Sequence, residues 1–141
     1  MLRYSALLKD TKAYKSLLSD MSAKRLNHCY MIMGEDELAV DTLIDLFAQT
    51  ILCKDGGCGK CVDCMKVEDK NHEDIYEPKN LKADGIREFV EKVYIKSVGD
   101  TKIMIIRSLD KVDVKAQNFL LKSVGCVSSA LSRECKTRRK V

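Results

Sequence analysis

What this sequence lacks narrows the field before any motif is read. No apolar run approaches the roughly 18–20 residues that a membrane-spanning helix needs. The N-terminal region interleaves Arg3, Lys9, Asp10, Lys12 and Lys15 with its apolar positions, so neither a membrane span nor a secretory signal peptide is expected. There is one proline, Pro78, and no proline- or serine-rich stretch that would serve as a linker. No internal repeat is present either. Excess charge of one sign is also missing, with 25 Lys+Arg against 21 Asp+Glu and 45% hydrophobic residues, so nothing in the overall composition suggests disorder. The 141 residues suit one ordinary domain with its own core, and the expected compartment is the cytoplasm.

The small positive balance is local. Residues 133–141 hold Arg133, Lys136, Arg138, Arg139 and Lys140 against Glu134 alone, which leaves residues 1–132 formally neutral. A nucleic-acid reading based on charge would therefore be a reading of the tail.

Cysteine is what the chain has in plenty. Seven occur, at 29, 53, 58, 61, 64, 126 and 135, and four of them make a C-x4-C-x2-C-x2-C run from Cys53 to Cys64. Four thiolates at about 2.3 Å are the ligand set of a closed, structural zinc site. Gly56, Gly57 and Gly59 let the backbone fold tightly around an ion. In a cytoplasmic chain this density favours metal over disulfides. Other readings stay open: an iron–sulfur cluster, which usually brings a further cysteine and a proline; a redox dithiol, which would use only one C-x-x-C; and unliganded thiols. Cys29 falls in an apolar run and suits a core, Cys126 and Cys135 have no partners at ligand spacing, and His28 and His72 stand alone.

Hydrophobic spacing alternates between helix and strand. Tyr4, Leu7, Leu8, Tyr14, Leu17, Leu18 and Met21 fall at helical intervals over 4–21. The run from Cys29 to Met33, ended by Gly34, reads as a buried strand. Helical spacing resumes over 36–52 through Val40, Leu43, Ile44, Phe47 and Ile51. Asp74–Glu77 is a weak strand stopped by Pro78. Ile86, Phe89, Val90 and Val93 mark an amphipathic helix with Asp84 available as N-cap. Ile103–Ile106 is the strongest strand, apolar on both faces as a parallel strand between helices would be. A last helix is expected from near Asp113 through Ala116, Leu120 and Val124, and from Gly125 the pattern decays. The fold class implied is α/β with a mainly parallel sheet.

Three strings together resemble the clamp-loader subunits of bacterial DNA polymerase III, members of the AAA+ family, and the delta-prime subunits in particular. Residues 27–34 resemble the family's first strand and its opening glycine. Residues 116–124, Ala-Gln-Asn-Phe-Leu-Leu-Lys-Ser-Val, resemble the AQNALLKTLEEP helix. Between them lies a four-cysteine knuckle, where the family inserts one. The resemblance implies an incomplete AAA+ domain over 1–124, a parallel sheet flanked by helices with a zinc knuckle inserted at 53–64, and a basic tail at 125–141 outside the family pattern. The implied cofactor is structural Zn2+ on Cys53, Cys58, Cys61 and Cys64. The implied role is loading of the sliding clamp onto primed DNA in company with the other clamp-loader subunits.

The departures from the family carry as much weight. An active phosphate loop needs backbone N–H groups around the phosphates, a lysine, and a hydroxyl for Mg2+. After Gly34 this chain has Glu35, Asp36 and Glu37, with Val40 at the lysine position and Asp41 at the hydroxyl position. After the strand Ile105-Ile106, where the ATPases carry Asp-Glu, stand Arg107 and Ser108. The loop of Gly34, Val40 and Asp41 is therefore a degenerate nucleotide site. No catalytic residue and no intrinsic ATP hydrolysis are expected, which separates delta-prime from the motor subunit. An active P-loop NTPase and a small zinc or iron–sulfur protein are the alternatives. Beyond Val124 the family's Glu-Glu-Pro, further strand, SRC motif, lid and collar have no counterpart, Ser132–Cys135 echoing SRC only faintly. A truncated or frame-shifted form is expected, marginal in isolation and weak or absent in assembly.

Overall fold

The computed structural model describes residues 4–26, 30 and 32–126. Among them are six α-helices, two short strands and two 3-10 turns. The chain divides into two compact units, one built mainly from residues up to His72 and the other mainly from Glu73 onward. Among the described residues no helix is long and apolar enough to cross a membrane.

The first unit opens with α1 (Ser5–Lys9) and α2 (Lys12–Ser22). The periodicity over 4–21 suggested one helix, but Thr11 divides it. Its backbone is extended and its side chain accepts a hydrogen bond from Tyr14 N, an N-cap that starts α2 afresh. Of the apolar residues in this stretch, Tyr14 and Leu17 are buried while Tyr4 and Leu7 stay exposed.

Helix α3 (Glu37–Leu52) is the spine of the unit. Residues 42–50 are buried without interruption, so this helix is covered nearly all round. Tyr14 meets Phe47 edge to face with ring centres 6.3 Å apart. The Tyr14 hydroxyl lies 3.1 Å from Thr50 Oγ1, which in turn donates to Leu46 O at 2.8 Å. The loop Cys53–Cys61 follows, then α4 (Val62–Glu68), which packs on α3.

The second unit holds the sheet. Strand β1 (Ile75–Tyr76) pairs in parallel with β2 (Ile103–Met104), Ile75 opposite Ile103 and Tyr76 opposite Met104. Ile103 N and Ile105 N donate to Asp74 O and Tyr76 O at 2.8 and 2.9 Å. Residues 103–106 are all buried, as the apolar run implied. Helices α5 (Ala83–Glu91) and α6 (Val114–Cys126) close over them. Ile86, Phe89 and Val90 of α5 share a core with Met104, Ile106, Val112, Ala116 and Leu120. Apart from the smaller Ala116, each such side chain contributes roughly 1.5–3 kcal/mol when taken fully out of water.

Three expectations change on contact with the structure. The sheet has two strands among the described residues, and the strand proposed for 29–33 is not formed at the positions described: Tyr30, Ile32 and Met33 have no ladder. Its remaining residues, with His28, Cys29, Cys135 and the tail from 127, lie outside the described residues. Asp84 is not the N-cap of α5. The helix begins at Ala83 with Lys82 as cap residue, and Asp84 sits in the first turn, where its charge still suits the helix dipole. The turn ahead is made instead by Asn80, whose Oδ1 accepts from Lys82 N at 3.0 Å. Finally, α6 runs through Cys126, past Val124.

Gly85 exists because of that turn. A Cβ there would lie 2.3 Å from Asn80 Oδ1 and 2.6 Å from Asn80 O. The second atom is backbone and cannot swing aside. Gly85→Ala should therefore destabilise the chain by about 1–3 kcal/mol, measured by urea denaturation, against the gain that alanine normally brings to a helix.

Candidate functional site

The cysteine knuckle is assembled from two directions. Cys53 ends α3 and is buried, and Cys64 lies in α4 with no exposed surface. Cys58 and Cys61 come from the loop between them. That loop turns back because Gly56, Gly57 and Gly59 take φ of 70°, 96° and 73°, a region that side chains disfavour. Gly57 also lies close to α3, so a Cβ there would be 3.2 Å from Thr50 Oγ1.

The four Sγ atoms all lie within 4.8 Å of one another. Cys53 Sγ is 3.6 Å from both Cys58 Sγ and Cys61 Sγ. A tetrahedron of sulfurs at the zinc–thiolate bond length would place neighbours about 3.8 Å apart. Among the described residues this is the one group of such ligands that could hold a metal ion.

Backbone donors converge on the same sulfurs. Cys58 N points to Cys53 Sγ at 3.4 Å, and Lys60 N and Cys61 N point to Cys58 Sγ at 3.4 and 3.3 Å. Cys64 N points to Cys61 Sγ at 3.4 Å, which makes Cys61 the N-cap of α4. N–H groups aimed at sulfur favour the thiolate. At Cys53 burial works against ionisation, yet the N–H groups of Cys58, Gly57 and Asp55 outweigh it and bring the thiol down to about 6. Burial pushes the Cys64 thiol up. At Cys61 the Cys64 N–H favours the thiolate, but burial and the neighbouring sulfurs prevail and push it up. Four thiolates this close would repel one another, and a divalent cation would relieve them.

The outer contacts brace the knuckle. Gln49 Nε2 donates to Cys64 O at 3.0 Å across buried space. His72 Nε2 lies 3.4 Å from Asp63 Oδ1, so this histidine packs beside the knuckle without joining the ligand set.

The loop after Gly34 is occupied by the chain itself. Asp36 is the N-cap of α3, and its Oδ1 accepts from Leu38 N at 2.9 Å and Ala39 N at 3.2 Å. These N–H groups open the helix and are those an anion would need. Val40 is buried, and it sits against Gly34 so closely that a Cβ on the glycine would be 2.7 Å from Val40 Cγ2. Asp41 follows it, partly buried. In the second unit Arg107, past the β2 strand, makes a forked pair with Glu77: Nη2 to Oε1 is 2.8 Å, and Nε lies 3.1 and 3.2 Å from Oε1 and Oε2.

Two positions escaped the sequence reading. Asp74 and Lys102 are each only 2% exposed. Asp74 accepts from Val98 N at 2.7 Å and Gly99 N at 2.6 Å. Lys102 donates to Lys92 O and Ile95 O, and its ammonium lies 4.8 Å from the centre of the Tyr76 ring. Nothing in their sequence context marks them, because charged residues are normally exposed.

Comparison with known proteins adds relatives to this geometry. The family model described as DNA polymerase III, delta subunit, matches residues 9–125. A DNA polymerase III subunit gamma from Buchnera aphidicola is 29% identical over 108 residues, covering 71% of this chain and 29% of the relative. DNA polymerase III subunits delta' from Pseudomonas aeruginosa and Haemophilus influenzae are 28% and 27% identical, covering 69% and 70% of this chain. Each match takes in 33% of the delta' protein, so the chain spans about a third of the length of these curated relatives.

Proposed function

This chain belongs to the family of the DNA polymerase III delta subunit, and from that premise we propose that it is a delta-prime-like, non-hydrolysing subunit of the clamp loader in DNA replication. Residues 1–124 would be an AAA+-like part with the knuckle 53–64 inserted. The partners under this reading are the other clamp-loader subunits and, through them, the sliding clamp and primed DNA.

One observation carries the proposal: the start of α3 is sealed by its own residues. The Asp36 carboxylate holds the N–H groups of Leu38 and Ala39, and Val40 fills the space beside Gly34. A phosphate would have to displace a charge-assisted cap worth about 1 kcal/mol and then sit among Glu35, Asp36 and Glu37. There is no lysine at Val40 and no hydroxyl at Asp41 to offset that repulsion. The Arg107–Glu77 pair supports the same conclusion from the second unit, because a cation stands where a metal-binding acid would be needed.

The knuckle would hold zinc. Four cysteine ligands fill a tetrahedron, so no position is left for water or substrate, and the ion would supply structure alone. Cys53 and Cys64 would fasten α3 to α4, and the glycine turn would present Cys58 and Cys61.

Similarity to a subunit named gamma keeps a second reading, an active P-loop NTPase. Steady-state hydrolysis separates the two. With Mg-ATP, alone or with primed DNA, the chain should show no turnover above buffer. Turnover that Val40→Ala or Asp36→Ala alters would instead establish the NTPase reading.

A further inference from the structure

We propose that the cysteine cluster is also a peroxide-responsive modification site, in which Cys58 is oxidised first and Cys53 then closes on it as a disulfide. The inference deepens the zinc reading above and rests on it. Burial divides the four cysteines unequally: Cys53 and Cys64 are buried, Cys61 is half-buried and Cys58 is exposed. The backbone around Cys58 offers little cover. Gly57 and Gly59 flank it, and a Cβ at Gly56 or Gly59 would meet nothing within 4 Å.

The exposed cysteine is also held in place. Lys60 N and Cys61 N both point at Cys58 Sγ, at 3.4 and 3.3 Å, and fix the sulfur on the side of Cys53. Cys53 Sγ waits 3.6 Å away. A disulfide needs about 2.05 Å, and the closing movement falls on a turn whose Gly56 and Gly57 already have positive φ.

The chemistry balances with hydrogen peroxide as oxidant. Cys58 Sγ attacks one peroxide oxygen, the O–O bond breaks, and hydroxide leaves as water after taking a proton. Sulfur has lost two electrons and is sulfenic acid. Cys53 thiolate then attacks Cys58 Sγ, the S–O bond breaks, and a second hydroxide leaves as water. Two thiolates and one peroxide thus give one disulfide and two waters, with two protons consumed. Two thiolates remain, too few for a closed tetrahedral site, and the ion is lost.

The sequence makes the test direct. Trypsin cuts after Arg25, Lys54, Lys60 and Lys66, which places Cys53, Cys58 and the Cys61–Cys64 pair on three different peptides; the first also carries Cys29, so linked peptides are fragmented to assign the bond. The full chain, with its zinc content measured first, is treated with increasing hydrogen peroxide. Released zinc is followed with a chromophoric chelator, and disulfides are mapped by mass spectrometry of unreduced peptides. The proposal expects complete zinc loss in step with a Cys53–Cys58 link that forms before any other, and recovery of zinc after dithiothreitol. A first disulfide between any other pair, or oxidation elsewhere while zinc stays bound, would overturn it. A chain with no zinc before peroxide would defeat the zinc reading alone. The order of linkage would still decide the proposal, for it by a first link between Cys53 and Cys58, against it by any other.

Discussion

Replacing Cys64 with serine should abolish metal retention and melt the knuckle. Cys64 has no exposed surface, and its backbone anchors two further contacts: its N–H points to Cys61 Sγ, and its carbonyl accepts from Gln49. A serine hydroxyl is a poor zinc ligand and would sit in the same buried place. Loss of even an outer partner of a metal ligand lowers affinity by roughly 10–100-fold, so loss of the ligand itself should exceed that range. Structural zinc contributes its binding energy to folding, of order 10–16 kcal/mol in peptide-sized sites. Chelation of the unaltered chain should therefore lower its Tm and remove protection from exchange at the amides of 53–68. Serine at exposed Cys58 should cost less than serine at Cys64. Equal zinc content in the Cys64 variant and the parent, by elemental analysis, would remove the knuckle from the account.

The second large effect belongs to Asp74. This carboxylate holds the N–H groups of Val98 and Gly99, and its charge partly offsets the burial of Lys102. Asp74→Ala strips two hydrogen bonds to a buried carboxylate and leaves the Lys102 ammonium without that compensation, and should cost about 3 kcal/mol. Burial pushes Lys102 below its ordinary 10.5 despite Asp74, and removing Asp74 pushes it lower. In the folded variant the lysine thus releases its proton at a pH where the unfolded chain still keeps it. Stability then rises with pH across that window, because the unfolded state binds more protons there. The deficit of Asp74→Ala should accordingly shrink as pH climbs toward 10.5, and urea denaturation at neutral and alkaline pH would read this. A deficit that grew with pH would mean that Lys102 is not the group exposed by the substitution.

Much of the fold was legible because hydrophobic spacing governs where a helix buries its face. Ile86, Phe89 and Val90 on α5 and the run Ile103–Ile106 occupy the core that their pattern implied. The convergence of the four sulfurs was legible for another reason: cysteines at this spacing around a glycine turn are brought together by the turn itself. What escaped was local hydrogen bonding. Thr11 splits one apolar period into two helices, and Asn80 takes the turn that Asp84 was expected to cap. Asp36 could have been found, since it stands directly before an apolar helical pattern, where an N-cap belongs. Reading it only as a charge hostile to phosphate missed that it already occupies the phosphate's donors. Asp74 and Lys102 had no such signal, because their roles depend on a loop meeting a strand across more than twenty residues of sequence.

The sealed start of α3 is tested most directly by equilibrium dialysis of Mg-ATP against the full chain. No saturable binding is expected up to millimolar nucleotide. Saturable, Mg2+-dependent binding in the micromolar range would contradict it, because such binding requires the donors that Asp36 holds and the space that Val40 fills.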